Sequence, residues 1–134
     1  FTIFIIEEFI GKPGYLSLKQ ILTISKHPLA EIGSHGLSHK LLTELSDEDL
    51  KKEILNTKRS LESKIGRSIT KFAYSHGQFD VRCKKLITVY NYAFAADSKP
   101  INFFTRSRRY SFPRINITDD SINKYHKLFK KFSV

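Results

Sequence analysis

Two histidines four positions apart, His35 and His39, are the residues of this chain best suited to chemistry. They follow a short apolar segment, Ala30 to Gly33, which is predicted to be a strand that runs into a loop. In α/β proteins such loops carry much of the chemistry, because the strand lends rigidity and the loop lends exposure. Two neutral imidazoles at this spacing can converge on one borderline metal such as zinc. The spacing also fits two ordinary polar loop residues, so it leaves both interpretations open.

A second polar stretch, AYSHGQFD at residues 73–80, also follows a strand-like segment. An irregular segment directly after a strand is a usual position for functional residues in this class of protein. Its presence therefore favours the metal-site interpretation of His35 and His39.

Strands and helices are predicted to alternate along the chain, and they must position these loops. The strands are predicted over residues 1–6, 30–34, 69–74, 92–96 and 112–117. Helices are predicted to begin at the N-cap residues Ser17, Ser46, Asp80 and Thr118 or Asp119. This alternation favours a parallel sheet with helices packed outside it.

Helical spacing of apolar residues predicts which faces are buried. The four predicted stripes are Leu18, Ile21 and Leu22; Leu50, Ile54, Leu61 and Ile65; Val81, Leu86, Ile87 and Tyr90; and Ile122, Tyr125, Phe129 and Phe132. Gly66 lies where a C-terminal cap is expected for the second helix.

The length of 134 residues and the apolar fraction of 40% fit one small globular domain. Cys83 is the single cysteine, which excludes an internal disulfide framework. Its position in a predicted helix favours a small packing residue over a nucleophile. No apolar run approaches the length of a membrane span.

The formal net charge is +10, and a basic surface favours anionic partners such as nucleic acid, acidic glycans or anionic lipid. The basic residues are spread along the chain, without a compact basic block or a nucleic-acid-binding motif. We therefore expect a solvated basic surface and no nucleic-acid partner.

The motifs within residues 31–80 resemble the NodB-homology domain of polysaccharide deacetylases, carbohydrate esterase family 4. That family reads E-I-G-S-H-T-x-x-H at its metal site, then S-D-E-E-L before a long helix, then F-A-Y-P-x-G near the substrate. This chain has EIGSHGLSH, LSDEDLKKEI and KFAYSHGQFD in the same order. Its opening 21 residues resemble the family's second strand and helix, and FPRINIT near its end resembles the closing strand of one subfamily.

The resemblance implies a distorted (β/α) barrel and a hydrolase that removes N-acetyl groups from an N-acetylglucosamine-type glycan. A divalent metal, expected to be zinc, would be held by two histidines and an aspartate, and His35 and His39 match the histidines. The substrate loop is matched by Tyr74, Ser75, His76 and Gly77. No side chain is securely catalytic, but the backbone N–H of His76 would donate to the oxyanion.

The chain departs from the family pattern at several positions. Gly36 replaces a Ser or Thr whose hydroxyl braces the loop, and Ser75 replaces a proline. The T-F-D-D motif, which carries the base and the third metal ligand, would precede the strand with which this chain begins. The family's late catalytic histidine has no match in its L-x-H setting, and His126 is interpreted as an ordinary residue of a predicted helix.

The chain contains no methionine and begins inside a predicted strand. We therefore expect residues 1–134 to be a partial NodB-homology domain that lacks its first β/α unit. The uncovered strand edge would then favour self-association. Any signal peptide would lie in the missing part, and the family suggests a secreted or cell-envelope location.

Three functional classes follow. The first is part of a metal-dependent polysaccharide deacetylase that acts on a glycan or amino-sugar substrate. The second is a catalytically inactive glycan-binding or vestigial deacetylase-like protein, which the absent aspartates favour. The third, a nucleic-acid-binding module, rests on net charge alone.

Overall fold

The computed structural model describes residues 1–96 and 109–114. Their strands form one parallel five-stranded sheet in the order β1-β2-β3-β4-β5. The strands are β1 (Thr2–Ile5), β2 (Glu31–Ser34), β3 (Lys71–Ala73), β4 (Tyr92–Ala96) and β5 (Phe112–Arg114). The predicted α/β class is confirmed, and the parallel direction places the carboxyl ends of all five strands at one edge of the sheet.

The first strand, β1, lies at one side of the described sheet and pairs with β2 alone. We expected a strand buried on both faces, but only Ile5 of this strand is fully buried. An edge strand keeps one side open to solvent, which explains the difference. Self-association through this edge stays a prediction.

The α-helices of the described residues are α1 (Leu18–Ser25), α2 (Asp47–Lys51), α3 (Thr57–Ile65) and α4 (Val81–Leu86). Three of them, α1, α2 and α4, begin where the capping residues predicted, whereas α3 continues the helix that starts after Ser46. Ser17 forms a complete capping box with Gln20 at the start of α1. Ser46 accepts from the Asp49 N–H at the start of α2, and Gly66 ends α3 with a left-handed φ of 71°.

One feature of the second helix differs from the expected regular helix. Residues Lys52–Asn56 form a π-helical turn that joins α2 to α3. A π turn leaves backbone carbonyls without their usual helical partners. The Tyr90 hydroxyl donates to the Ile54 carbonyl at 3.0 Å, and the Thr57 hydroxyl donates to the Lys52 carbonyl at 3.0 Å. The turn is thereby tied to the core.

The core lies between the sheet and α1, α3 and α4. Phe72 of β3 packs against the Tyr90 ring at a centroid distance of 5.2 Å. Cys83 is fully buried, as expected of a packing residue. Leu18 and Val81 were expected to be buried, but they are exposed, because each is the first residue of its helix and projects beyond the core.

Two of the sequence predictions lie outside the described residues. They are the final helix with its aromatic stripe and the interpretation of His126. Within the described residues, no helix is both long and apolar enough to cross a bilayer.

Candidate active site

His35 lies directly after β2, at the carboxyl edge of the sheet. Its backbone N–H donates to the Ile5 carbonyl at 2.7 Å, which continues the β1–β2 ladder by one residue. The Nδ1 of its ring lies 2.7 Å from the Ala73 carbonyl at the end of β3. Because a carbonyl can only accept, Nδ1 carries the proton and Nε2 keeps its lone pair. This second contact is the arrangement that orients metal-binding histidines in proteins.

His39 and His76 complete a row of three imidazoles. The ring centroids of His35 and His39 are 4.8 Å apart, and those of His39 and His76 are 4.7 Å apart. The structure therefore brings together the two predicted ligands and the histidine of the second loop. His39 and His76 both adopt left-handed backbone angles, with φ of 62° and 55°. Such angles in residues other than glycine are uncommon and concentrate at functional sites.

The electrostatics of the row favour neutral rings. Burial lowers the pKa of His35, and the hydrogen bond to Ala73 opposes that change only in part. Burial also lowers the pKa of His39, and the nearby His76 lowers it further. Both imidazoles are therefore unprotonated near neutral pH, which is the form that binds metal ions.

The second loop is a tight 3-10 turn at Ser75–Gly77. Only one of the four residues predicted to bind substrate is exposed. His76 is exposed, whereas Tyr74, Ser75 and Gly77 are buried. The Tyr74 hydroxyl donates to the Tyr110 carbonyl at 2.9 Å, so its side chain supports the loop from beneath. The Tyr74 ring is fully buried in this conformation, and its predicted place in the substrate site stays a prediction.

The predicted oxyanion donor, the backbone N–H of His76, stays a prediction. The turn's two internal hydrogen bonds are donated by Gly77 and Gln78. Neither bond therefore uses the His76 N–H.

Two residues near the histidines were missed by the sequence reasoning. Glu53, in the π turn, is 3% exposed and accepts hydrogen bonds from the loop between the histidines. An acidic residue three positions after Leu50 and next to Ile54, within an apolar stripe, was a signal that could have found it.

Arg114 is the second missed residue, at the carboxyl end of β5. Its Nε atom is buried without a hydrogen-bond partner in the described part of the chain, and burial lowers its pKa. Its charge also contributes to lowering the pKa of His35. No signal in the sequence distinguished this arginine from its neighbours.

The histidine pair fits a divalent metal as a partial ligand set. His35 presents an unprotonated Nε2, and the ring of His39 lies beside it. Among residues 1–96 and 109–114, no group of three His, Cys, Asp or Glu side chains is arranged to hold a metal ion. The described residues therefore supply two ligands, and a complete zinc site requires at least one more protein ligand.

The fold and the site define the class of protein: a parallel α/β protein with a pair of adjacent histidines at the carboxyl edge of its sheet. The polysaccharide deacetylase family model matches residues 1–95. The chain belongs to the polysaccharide deacetylase family, as the resemblance predicted.

Solved structures share this fold. The deacetylase PplD from Streptococcus pyogenes, in complex with acetate, superposes with a TM-score of 0.84 at 17% identity, over 99% of this chain and 58% of that chain. IcaB from Ammonifex degensii superposes with a TM-score of 0.77 at 18% identity, over 95% of this chain and 60% of that chain. The chain thus spans about three fifths of the length of these relatives.

A structural neighbour without enzyme function is also found. A carbohydrate esterase family 4 pseudoenzyme from Bacillus anthracis superposes with a TM-score of 0.54 at 21% identity, over 63% of this chain and 28% of that chain. The fold is therefore shared by a deacetylase and a pseudoenzyme. Comparison with curated protein sequences gives no match.

Proposed function

We propose that this chain carries the metal-histidine part of the active site of a polysaccharide deacetylase. The observation that supports this best is the His35–His39 pair at the carboxyl edge of the sheet, with the Nδ1 of His35 fixed on the Ala73 carbonyl. The substrate class would be a glycan with N-acetylated amino sugars. Residues 1–134 would form one partial domain, in a secreted or cell-envelope protein.

Each residue of the site would have a defined task. His35 and His39 would hold a divalent metal, with zinc the expected ion, through ring nitrogens that burial keeps neutral. When bound, the metal would supply Lewis-acid polarisation of the acetyl carbonyl and a more acidic water. The His76 N–H would donate to the oxyanion that forms on the acetyl oxygen. His76 also lies next to His39, where its exposed ring can contact a sugar.

The test is acetate release from N-acetylglucosamine oligomers. The chain would be joined behind a strand and helix from a related deacetylase that carry the T-F-D-D motif, and zinc or cobalt would be added. We expect metal-dependent release that the double variant His35→Ala, His39→Ala abolishes. Equal release by the double variant would show that the histidines do not hold the catalytic metal.

An inactive glycan-binding protein is the second candidate. It is favoured by the absence of a third metal ligand among the described residues and by the pseudoenzyme neighbour. Calorimetry with the same oligomers separates the two candidates. Glycan binding that survives the double histidine substitution, without acetate release by the joined protein, would support the inactive candidate.

A further inference from the structure

The loop between the two histidines, Gly36 to Ser38, is held by a buried carboxyl group. The N–H groups of Leu37 and Ser38 both donate to Oε2 of Glu53, at 2.6 and 3.1 Å. The Ser38 hydroxyl donates to Oε1 of the same side chain. One carboxylate therefore satisfies three donors of a five-residue histidine motif, and hydrogen bonds to a charged acceptor are stronger than neutral ones.

Two carbonyls of the loop are bound by another segment of the chain. The carbonyls of Gly36 and Leu37 accept from the N–H groups of Glu7 and Glu8, at 3.1 and 2.9 Å. Because both donors and acceptors of the loop are engaged, the loop is held in a defined conformation. That conformation includes the left-handed backbone of His39, which would otherwise be unfavourable.

Gly36 makes this arrangement sterically feasible. A Cβ atom at this position would lie 2.7 Å from Oε2 of Glu53, and the residue has a φ of +83°. A side chain here would displace the carboxylate from the loop. Gly36 and Glu53 are thus complementary: the missing side chain leaves the space that the carboxylate occupies.

We propose that Glu53 is a positioning residue for the metal site, which it controls by fixing the loop that presents His35 and His39. This inference rests on the proposed function of the two histidines. Among the described residues, the three hydrogen bonds that Glu53 accepts all come from Leu37 and Ser38, so Glu53 positions the histidines through the loop. Partners outside the ligand set of a metal site typically change metal affinity 10- to 100-fold when they are removed.

The experiment uses four variants of the chain. Glu53→Gln removes the negative charge of the side chain. Gly36→Ala keeps that charge but should displace the Glu53 carboxylate from the loop. Glu48→Gln is the matched control for the first, because Glu48 precedes the π turn in the same helical segment with 82% of its side chain exposed. Gly66→Ala is the control for the second, because Gly66 also has a positive φ, of +71°, but has open space around it.

Two readouts are measured for each variant: amide hydrogen exchange of Leu37 and Ser38 by NMR, and zinc affinity by calorimetry. We expect Glu53→Gln and Gly36→Ala to speed exchange of both amides and to weaken zinc binding, each by about tenfold. Both controls should stay within about twofold of the wild type on both readouts. If Glu53→Gln does not fold, the proposal is tested with Gly36→Ala and its control.

Unchanged exchange at Leu37 and Ser38 in a folded variant would overturn the proposal. So would faster exchange with zinc affinity within twofold of the wild type, because the loop would then be braced without any effect on the histidines. If the wild type binds no zinc, the proposed function is wrong, and the role of Glu53 in holding the loop is then tested by amide hydrogen exchange alone. A failure of the proposed function is therefore distinguishable from a failure of the Glu53 proposal.

Discussion

The two loops at the carboxyl edge of the sheet are built in different ways. The loop after β2 is held from three directions: by Glu53, by the backbone of Glu7 and Glu8, and by the Ser34 hydroxyl, which accepts from the Gly36 N–H at 3.3 Å. The turn after β3 relies on local bonds from Gly77 and Gln78.

The contacts between the two loops are few. The Nε2 of His76 lies 3.1 Å from the His39 carbonyl, and the Ser75 hydroxyl lies 3.4 Å from the His35 carbonyl. This difference in hydrogen bonding indicates which function each loop is suited to. If His35 and His39 hold a metal ion, the first loop would give them the fixed geometry that metal ligands need, whereas a residue that contacts sugars can lie on a simpler turn.

The largest expected effect concerns activity, because neither loop supplies a match for the carboxylate base and the third metal ligand of the family's T-F-D-D motif. We expect the 134-residue chain alone to release negligible acetate from N-acetylglucosamine oligomers with added zinc, since its sequence contains no T-F-D-D motif. The lack of a general base alone costs about 10²- to 10⁴-fold, and an absent metal ligand compounds that loss.

Robust metal-dependent release by the chain alone would contradict this expectation. Asp80 is the carboxylate nearest in sequence to the His76 turn, but it is already engaged as a cap. Its side chain accepts from the Arg82 and Cys83 N–H groups at 2.8 and 2.9 Å. A substitute base would therefore have to come from elsewhere in the chain.

The second prediction concerns the strand beneath the well-held loop. A Cβ atom on Gly33 would lie 2.6 Å from the Phe4 ring and 3.2 Å from the Lys71 carbonyl. We expect Gly33→Ala to lower the free energy of unfolding by about 1–3 kcal/mol, because the neighbouring strands cannot separate freely. Urea unfolding measures this change.

The Phe4→Ala background provides the control for that prediction. Removing the ring relieves the closest contact, so the effect of Gly33→Ala should be smaller there than in the wild type. Equal effects in both backgrounds would show that the clash with Phe4 is not the cause.

The third prediction tests the support beneath the simpler turn. Tyr74→Phe removes the buried hydrogen bond to the Tyr110 carbonyl and should lower the free energy of unfolding by about 1 kcal/mol. Tyr15→Phe is the control, because Tyr15 is 53% exposed. Unchanged stability together with weaker binding of N-acetylglucosamine oligomers would instead support the expectation that Tyr74 contacts substrate.

The smallest effect concerns α4, the helix that follows the turn. Hydrogen bonds from Cys83 and Arg82 lower the pKa of Asp80 to about 2, from a reference value of 3.8. A carboxyl group with a lowered pKa in the folded state adds stability above its unfolded pKa and loses it as the pH falls towards the folded value.

Asp80→Asn keeps a good N-cap and removes the charge. We expect the wild type to melt slightly above this variant at pH 6 and the difference to vanish near pH 2. A constant difference across this pH range would show that the charge of Asp80 is not its source.

Much of the fold could be predicted from the sequence, because its signals are local. Capping residues such as Ser17 and Asp80 marked helix starts, and the apolar spacing of Leu50, Ile54 and Leu61 marked a buried face. The partial exposure of β1 could not be predicted, because a run of apolar residues does not show how much of a strand the neighbouring elements cover.

The two histidines of the candidate site could be picked out from the sequence, whereas the residues that support them could not. The spacing and motif pointed to His35 and His39, which the structure places side by side. The Glu53 bonds to Leu37 and Ser38 join residues 16 and 15 positions apart, and Arg114 comes from the far end of the chain. Contacts of this kind depend on how elements pack, which a single sequence does not show.

The central claim is that His35 and His39 share one divalent metal ion, and zinc calorimetry tests it most directly. The wild-type chain is compared with His35→Ala, His39→Ala and with His76→Ala. We expect weak binding by the wild type, since two protein ligands leave the remaining positions to water. The double variant should show no binding, and His76→Ala should bind within a few-fold of the wild type. Equal zinc binding by the wild type and the double variant would contradict the account.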